Sequence, residues 1–328
     1  MTGESDSHII KPWMRPKEIE LRQKGRDHLN KAIKLGLFHG ENILSITPFT
    51  QGESSVVFKV VTESSPSVVK MTPEAGGVEA ESHFLLAWEK EGIKIPQIIS
   101  IRPQDKEIPV SILVSEFIDS ALLIDALTTQ QMIEKGISKE LGRMLAKMHR
   151  AKGKGFGFPI VGNENHGSFE TFSEEMEKTL FGDRISWLLT HGVLNQFDVD
   201  VAHGAVEILE ADIQKGGLPS LTHNDFATYN MFATEPITIF DPDPRITHPA
   251  ICLAYTLLKS QVNEYPDLTE SSEILSGYRE ITPIDDETIA AGIVLRGIRK
   301  IHTWHREGKL SQLDKLKKVI DANEKLIG

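Results

Sequence analysis

Two polar loops, each set beside short apolar segments, constrain the fold of this chain more than any other feature. The first has the sequence HNDFATYN and spans 223–230. The second, FDPDP at 240–244, ends the apolar segment that begins at Ile237. Short apolar runs bounded by polar residues and prolines are typical of buried strands. We therefore expect two loops that lie side by side at the ends of strands.

The spacing of Asp225 and Asn230 in the first loop suits phosphoryl transfer. An Asp can orient a substrate hydroxyl and accept its proton, and an Asn five residues later can return to hold a metal ion. Asp241, at the end of the next strand, can bind Mg²⁺ that bridges phosphates, and Asp243 can reach a second metal ion or a water. Taken singly, a polar loop that caps a strand and an Asp-Pro turn also explain these residues.

A lysine and a glutamate nearer the N-terminus form a second pattern. Lys70 lies in a predicted strand, on the same face as Val68. Glu81 lies on the apolar face of a predicted helix over 78–91. A carboxylate on such a face is costly to bury unless a cation meets it. We therefore expect Glu81 to hold Lys70, in the arrangement that places a lysine on nucleotide phosphates.

A glycine turn precedes the predicted strand VVFKV at 56–60, in the sequence QGESS at 51–55. Gly52 permits close approach of the backbone to phosphate, and successive amides beside Ser54 and Ser55 can cradle its oxygens. The surrounding segment, 40–117, is predicted to form a small β-rich unit with a single helix.

The chain after residue 120 is predicted to be mainly helical. Gly153, Gly155 and Gly157 follow a predicted helix rather than a strand, so they do not fit a dinucleotide-binding fingerprint, and we expect a loop. The predicted helices cover 137–151, 168–216 as a pair, 249–262, 271–279, 286–307 and 311–326.

Charge and composition narrow the classes of function. The chain has 328 residues and a formal net charge of −11, which disfavours nucleic acid as a partner and is compatible with a cationic small molecule. The basic helix predicted over 16–36 is interpreted as a solvated face. Cys252 is the single cysteine, so no internal disulfide can form. We find no signal peptide or membrane span and expect a cytoplasmic protein.

The segment LTHNDFATYNMFATEPITIFDPDPRITHPAICLAY at 221–255 resembles the signature of the aminoglycoside phosphotransferase and choline kinase superfamily. The likeness extends to QGESSVVFKV, EAESHFLLAWEKEGIKIPQII, ILVSEFI and LGRMLAKMHR, and covers about residues 40–260. It implies an α+β, bilobal protein-kinase-like fold. The small antiparallel β-rich lobe would span 1–117, and the larger, mainly helical lobe would span 118–328.

The resemblance also implies an activity and a set of roles. The enzyme would use ATP or GTP and Mg²⁺ to phosphorylate a hydroxyl of a small, amine-bearing acceptor. Asp225 would be the catalytic base, His223 would brace its loop, and Asn230 and Asp241 would bind the metal. The residues implied to bind the nucleotide are Gly52, Ser54, Ser55, Lys70, Glu81 and the backbone around Glu116 and Ile118.

One departure from the family pattern leaves alternatives open. Cys252 stands where the family has an Asp that braces the catalytic loop. A nucleotide-binding pseudokinase is therefore one alternative, and a choline or ethanolamine kinase is another. The D-F-G and A-P-E motifs of protein kinases are absent, which excludes that class. The acidic side chains considered for an amine-bearing acceptor are Glu170, Glu174, Glu175, Asp183 and Asp285.

Overall fold

The computed structural model describes residues 14–49, 55–262 and 268–327. The chain divides into two compact units. Unit 1 comprises Met1–Leu86 and Ile95–Ser120, and unit 2 comprises Ala87–Lys94 and Ala121–Gly328. Within the described ranges, no helix has both the length and the apolar character that a bilayer crossing requires.

A five-stranded antiparallel sheet is the centre of unit 1, with the strand order β1-β2-β3-β5-β4. Its strands are β1 Ile43–Phe49, β2 Val56–Thr62, β3 Pro66–Thr72, β4 Ile98–Arg102 and β5 Ser111–Glu116. In β2 and β3, buried and partly buried residues alternate, as expected where β-branched side chains stand on opposite faces of a sheet. This alternation sets one face of β3 against the core and leaves the other face to Lys70.

Helix α1, Pro16–Lys34, packs on the core face of this sheet. Its buried Leu21 and Leu29 belong to the same apolar cluster as residues of β2 and β3. Gly25 permits the close approach, because a Cβ there would lie 3.1 Å from the Cγ1 of Val56. The basic helix of the sequence therefore has a buried stripe and serves as the back layer of the sheet. Helix α2, Gly77–Lys90, follows β3.

Unit 2 combines helices with two small sheets. A four-stranded sheet has the order β7-β6-β11-β8, and a β-hairpin pairs β9 with β10. The strands are β6 Phe156–Ile160, β7 Asn163–Phe169, β8 Ser220–Thr222, β9 Met231–Phe232, β10 Thr238–Ile239 and β11 Arg245–Thr247. The helices are α3 Leu123–Ala126, α4 Thr129–Glu134, α5 Ile137–Met148, α6 Phe172–Met176, α7 Ser186–Thr190, α8 Gln196–Gln214, α9 Pro249–Val262, α10 Leu268–Arg279, α11 Asp286–Arg306 and α12 Leu310–Glu324, with a π-helical segment at Glu177–Ile185.

Helices α5 and α10 cross at two glycines. A Cβ on Gly142 would lie 1.9 Å from the carbonyl oxygen of Ile274, and a Cβ on Gly277 would lie 1.9 Å from that of Lys139. The two backbones are therefore in direct contact, which no larger residue allows. Helix α11 is the most buried of the long helices, and α8, α9 and α12 pack around it.

The predicted loop at 153–157 is partly wrong, because strand β6 begins at Phe156 and pairs with β7. The pairing needs glycine rather than β-branched residues: a Cβ on Gly167 would lie 2.3 Å from the carbonyl oxygen of Phe156. Gly155 and Gly157 also have positive φ angles of 62° and 91°. The usual strand pattern is therefore missing from a segment that nevertheless pairs.

Candidate active site

The loop between β8 and β9 holds Asp225 and Asn230 in contact. The Asn230 Nδ2 donates hydrogen bonds to the Asp225 carbonyl oxygen and to its Oδ2, both at 2.9 Å. The main chain reaches this geometry through a 3₁₀ turn at Thr228–Asn230, which the Asn230 amide closes by donating to the Ala227 carbonyl at 2.8 Å. The spacing found in the sequence therefore corresponds to a carboxylate and an amide that face each other.

Two residues in this region adopt the left-handed backbone conformation. Asn224 and Asp241 both have φ = 53°, which costs about 1–3 kcal/mol for a non-glycine residue and is typical of functional sites. The Asn224 Nδ2 donates to the Asp243 Oδ2 at 2.6 Å, and the Asp243 amide donates to the His223 carbonyl at 3.0 Å. These bonds tie the second polar loop to the first, as the sequence predicts.

His223 is fully buried at the root of the loop. Its ring stacks on Trp88, with centroids 5.6 Å apart, and its Nε2 lies 3.1 Å from the Phe240 carbonyl oxygen. That contact assigns the proton to Nε2, because a carbonyl only accepts. Burial lowers the pKa of His223, so the ring is neutral. A neutral, stacked imidazole fits the bracing role better than a role in proton transfer.

Three donors that the sequence analysis did not identify converge on the other carboxylate oxygen of Asp225. The Tyr229 hydroxyl donates to Oδ1 at 2.6 Å, the Lys259 Nζ lies 3.1 Å from it, and the Tyr255 hydroxyl makes a short hydrogen bond to it. Burial alone would raise the pKa of Asp225, but Lys259 and the two phenols lower it below the usual range. Asp225 is therefore ionised, and its side chain is 31% exposed.

Asp241 is an exposed residue of the second polar loop, at 240–244. The amide of the preceding residue, Phe240, donates to the Asn230 carbonyl at 3.1 Å, which connects the two predicted metal ligands through the backbone. Because Asn230 directs its Nδ2 at Asp225, its amide oxygen is the atom left to bind a cation. A carboxylate and an amide oxygen fit Mg²⁺, which prefers oxygen ligands and keeps water and phosphate in its remaining positions.

Asp243 has partners of its own. Besides the bond from Asn224, its carboxylate lies 3.4 Å from the Arg245 guanidinium. Arg245 in turn stacks on Phe158, with the Cζ 3.1 Å from the ring centroid. These contacts make Asp243 a residue that holds the loop together. Among the described residues, no group of three His, Cys, Asp or Glu side chains could bind a metal.

Cys252 occupies the position behind the loop that the family gives to an Asp. The side chain is fully buried, and the backbone amides of Asn224 and His223 donate toward its sulfur. Burial raises the pKa of the thiol to about 11, so the acceptor is a neutral sulfur, which is weaker than a carboxylate. Arg296 supplies a second contact, because its Nη2 donates to the Asn224 carbonyl at 3.3 Å.

In unit 1, Lys70 and Glu81 form the ion pair that the sequence predicts. The Lys70 Nζ lies 2.5 Å from the Glu81 Oε2, and the two side chains are 14% and 6% exposed. Lys70 stands on the partly buried face of β3 together with Val68, as expected. The ion pair expected from the place of Glu81 on the apolar face of α2 is therefore present.

The other predicted nucleotide ligands also belong to unit 1. Ser55 is buried just before β2, whereas Gly52 and Ser54 lie outside the described residues. The Glu116 amide donates to the Gln97 carbonyl at 2.9 Å, so the sheet uses this donor. Ile118 follows the end of β5 and is half-buried. The backbone after β5 therefore remains as the candidate contact for a base.

Several acidic side chains considered for the acceptor are used within unit 2. Glu175 is buried, and its Oε1 lies 3.6 Å from the Arg299 guanidinium. Asp285 caps the N-terminus of α11 by accepting from the Thr288 amide at 2.7 Å. The charged side chain that pairs with Asp225 is instead a cation, Lys259.

Comparison with protein-family models identifies a family. A family model described as the phosphotransferase enzyme family matches residues 45–244. The comparison with curated protein sequences gave no match.

Two solved structures are similar over nearly the whole chain. One is a thermostable mutant of aminoglycoside phosphotransferase APH(4)-Ia in a ternary complex with AMP-PNP and hygromycin B, with a TM-score of 0.63, 14% identity, and coverage of 90% of this chain and 97% of that chain. The other is spectinomycin phosphotransferase APH(9)-Ia in complex with ADP and spectinomycin, with a TM-score of 0.54, 15% identity, and coverage of 91% and 97%.

These findings confirm the expected fold class and resemblance. The structural similarity, at such low identity, shows the α+β kinase-like fold, and the family model covers more than half of the chain. The chain therefore belongs to the phosphotransferase enzyme family.

Proposed function

We propose that this protein transfers the γ-phosphate of ATP, or of GTP, to a hydroxyl group of a small molecule, with Asp225 as the base. The observation that carries the proposal is the pair of 2.9 Å bonds from Asn230 to Asp225. They place an ionised carboxylate beside an amide that can bind a metal. Orienting a hydroxyl toward a metal-bound phosphate requires both groups in one rigid loop.

Mg²⁺, when bound, supplies positive charge that offsets the charge on the phosphates and on the group in transfer. Asn230, through its amide oxygen, and Asp241, through its carboxylate, are the residues proposed to hold it. The sequence of the second loop also offers Asp243 for a second metal or a water. Its bonds to Asn224 and Arg245 favour a role in fixing the loop.

The nucleotide contacts are assigned to unit 1. Lys70 binds the phosphates and Glu81 fixes its position, which the buried ion pair between them supports. The remaining proposed contacts are the phosphate-covering residues Gly52, Ser54 and Ser55, and the backbone around Glu116 and Ile118 at the base.

The chemical step needs little of the protein beyond positioning and charge. Asp225 is ionised and accepts the proton of the acceptor hydroxyl at Oδ1, the oxygen that does not face Asn230. The hydroxyl therefore has to share this oxygen with Tyr229, Tyr255 or Lys259, or to displace one of them.

An amine-bearing acceptor is the finer form of the proposal. It is supported by the two similar enzymes, whose structures contain hygromycin B and spectinomycin. The second candidate function is nucleotide binding without transfer. It is favoured by the three donors that occupy Oδ1 of Asp225 and by Cys252 behind the loop.

The test is ADP formation with Mg·ATP or Mg·GTP over a panel of aminoglycosides, choline, ethanolamine and sugars, with the phosphorylated product identified by mass spectrometry. We expect Asp225→Asn to lower turnover by at least about 10³-fold, because it removes the base. Asp200→Asn, at an exposed position of α8, is the matched control and should keep full activity. Nucleotide binding with no product over the whole panel would support the second candidate, and unchanged turnover in Asp225→Asn would refute the role of Asp225.

A further inference from the structure

A lysine contacts the carboxylate oxygen of Asp225 that faces away from Asn230. The Lys259 Nζ lies 3.1 Å from Oδ1, and it also stands over the rings of Tyr229 and Tyr255, at 4.0 and 4.6 Å from their centroids. Lys259 comes from α9, and its side chain is only 17% exposed. This ammonium is therefore part of the wall beside the proposed base.

Helix α11 adds two more cations behind the Tyr255 ring. The Arg296 Cζ lies 4.4 Å from the centroid of this ring and the Lys300 Nζ lies 5.6 Å from it. Lys300 also stands over Trp304, at 4.7 Å from that centroid. Both cations are half-buried, and the ion pairs found among the described residues give neither a carboxylate partner.

The result is a local excess of positive charge in a chain with a net charge of −11. Lys259 contacts the Asp225 carboxylate, and the three cations repel one another where water screens them poorly. Burial and the charges of Lys259 and Arg296 lower the pKa of Lys300 to about 7. An unbalanced cluster of this kind is unfavourable by itself, and a bound anion would relieve the repulsion.

We propose that Lys259, Arg296 and Lys300 form an anion subsite beside Oδ1 of Asp225, which binds a carboxylate or phosphate group carried by the hydroxyl acceptor. The inference rests on the proposed function and names the substrate class of the same site. The position of the cluster favours the acceptor over the nucleotide, because Lys259 meets Oδ1 whereas Oδ2 faces Asn230, a proposed metal ligand. An amine elsewhere on the acceptor is compatible with this subsite.

The first test measures occupancy without catalysis. Lys300 is trace-labelled with an amine-directed acylating reagent and quantified by mass spectrometry in the presence of gluconate, glucose 6-phosphate, glucose or glucosamine, which share one carbon skeleton. Inorganic phosphate and Mg·AMP-PNP form two further arms. We expect at least threefold protection by gluconate or by glucose 6-phosphate, which also separates the carboxylate from the phosphate, and none by glucose or glucosamine.

Other outcomes of this labelling overturn the inference. Equal protection by the neutral and amine-bearing sugars would show that charge is not recognised. Protection by Mg·AMP-PNP alone would assign the cations to the nucleotide, and protection by inorganic phosphate without either anionic sugar would show only an adventitious ion. Absence of protection in every arm would show that no anion binds there.

The second test separates this inference from the proposed function. Lys300→Met keeps the length of the side chain and removes the charge, Lys300→Arg restores the charge, and Lys318→Met makes the same change at an exposed position of α12. We expect Lys300→Met to raise the KM of an anionic acceptor at least tenfold. Lys300→Arg should return it to within about threefold of wild type, and the KM of ATP should stay unchanged in all three variants.

The two ideas fail differently. Transfer to neutral or amine-bearing acceptors, combined with no transfer to anionic acceptors or with a KM for them that Lys300→Met leaves unchanged, would overturn the anion subsite and leave the proposed function intact. Protection of Lys300 by an anionic sugar, with no phosphorylated product from any acceptor, would overturn the proposed function and leave the subsite intact.

Discussion

Asp225 accepts hydrogen bonds at both carboxylate oxygens, and the donors differ in kind. An amide holds Oδ2, whereas two phenols and an ammonium meet Oδ1. Hydrogen bonds to the charged form of a carboxylate lower its pKa. The surrounding donors therefore make Asp225 a weaker base than a free aspartate. This suits a reaction in which orientation matters more than proton affinity.

Removal of the Tyr255 hydroxyl should change the pKa of Asp225. We expect Tyr255→Phe to raise the pKa of Asp225, because the charged form loses a donor while the ring that lies beneath Arg296 and Lys300 is kept. The acidic limb of the pH profile of kcat/KM should move upward by about 0.5–1 pH unit. Tyr278→Phe, whose hydroxyl bonds His149 instead, serves as the control and should leave the limb in place. An unmoved limb in Tyr255→Phe would show that the phenol does not tune the base.

The sequence predicted some of these residues and not others for a physical reason. Asp225 and Asn230 are joined by a fixed spacing in one loop, and Glu81 was identified because a carboxylate on an apolar helix face requires a cation. Tyr255, Lys259 and Lys300 come from helices α9 and α11, where no short spacing relates them to Asp225. Helix packing brings them together, and charged residues on amphipathic helices are usually just solvated.

At the scale of elements, the helices of unit 2 were predictable and the β6–β7 pair was not. An apolar stripe marked α5, whose buried residues recur at helical spacing. The β6–β7 hairpin consists of glycine and polar residues, because the strands approach too closely for side chains on one face. The strand propensity of the β6–β7 residues is therefore low although the segment pairs, because backbone contact replaces side-chain packing there.

The crossing of α5 and α10 gives a prediction for stability. Gly142→Ala would place a methyl group 1.9 Å from the Ile274 carbonyl oxygen and 2.8 Å from the Tyr278 amide. The helices must separate, so we expect the free energy of unfolding to fall by at least about 2 kcal/mol in urea denaturation. Gly204→Ala on α8 meets only the tip of Ile327, at 3.3 Å. That control should be neutral or gain about 0.5–1 kcal/mol from helix propensity, and equal effects of both substitutions would contradict the prediction.

For the whole molecule, the net charge and the charge grouped around Tyr255 have opposite signs. The net charge of −11 is compatible with a cationic ligand, whereas three cations, Lys259, Arg296 and Lys300, lie over the ring of Tyr255. The net charge is the sum of all the side-chain charges, whereas recognition of a ligand depends on the few charged groups that are shielded from water.

The stability of the molecule should also depend on pH through a buried histidine. His149 packs against Tyr278, and burial lowers its pKa from 6.5 to about 3. Between these values the unfolded chain binds a proton that the folded chain does not, so the free energy of unfolding falls as the pH drops below about 6.5, by up to about 1.4 kcal/mol per pH unit. We expect His149→Gln to flatten urea-derived stability between pH 7.5 and 5.5, compared with wild type. His39→Asn, at an exposed site, should retain the slope of wild type, and a wild-type slope in His149→Gln would contradict the assignment.

The burial of Cys252 has a practical consequence. It is the single cysteine of the chain, it is fully enclosed, and its thiol has a pKa of about 11. Thiolate-directed dyes and spin labels should therefore leave the native protein unmarked, because the thiolate fraction and the access are both minimal. A cysteine introduced at the surface could then be labelled selectively, without first replacing Cys252. The slow rate at which Cys252 itself is labelled would report how often α9 separates from the loop at 223–230 that it supports.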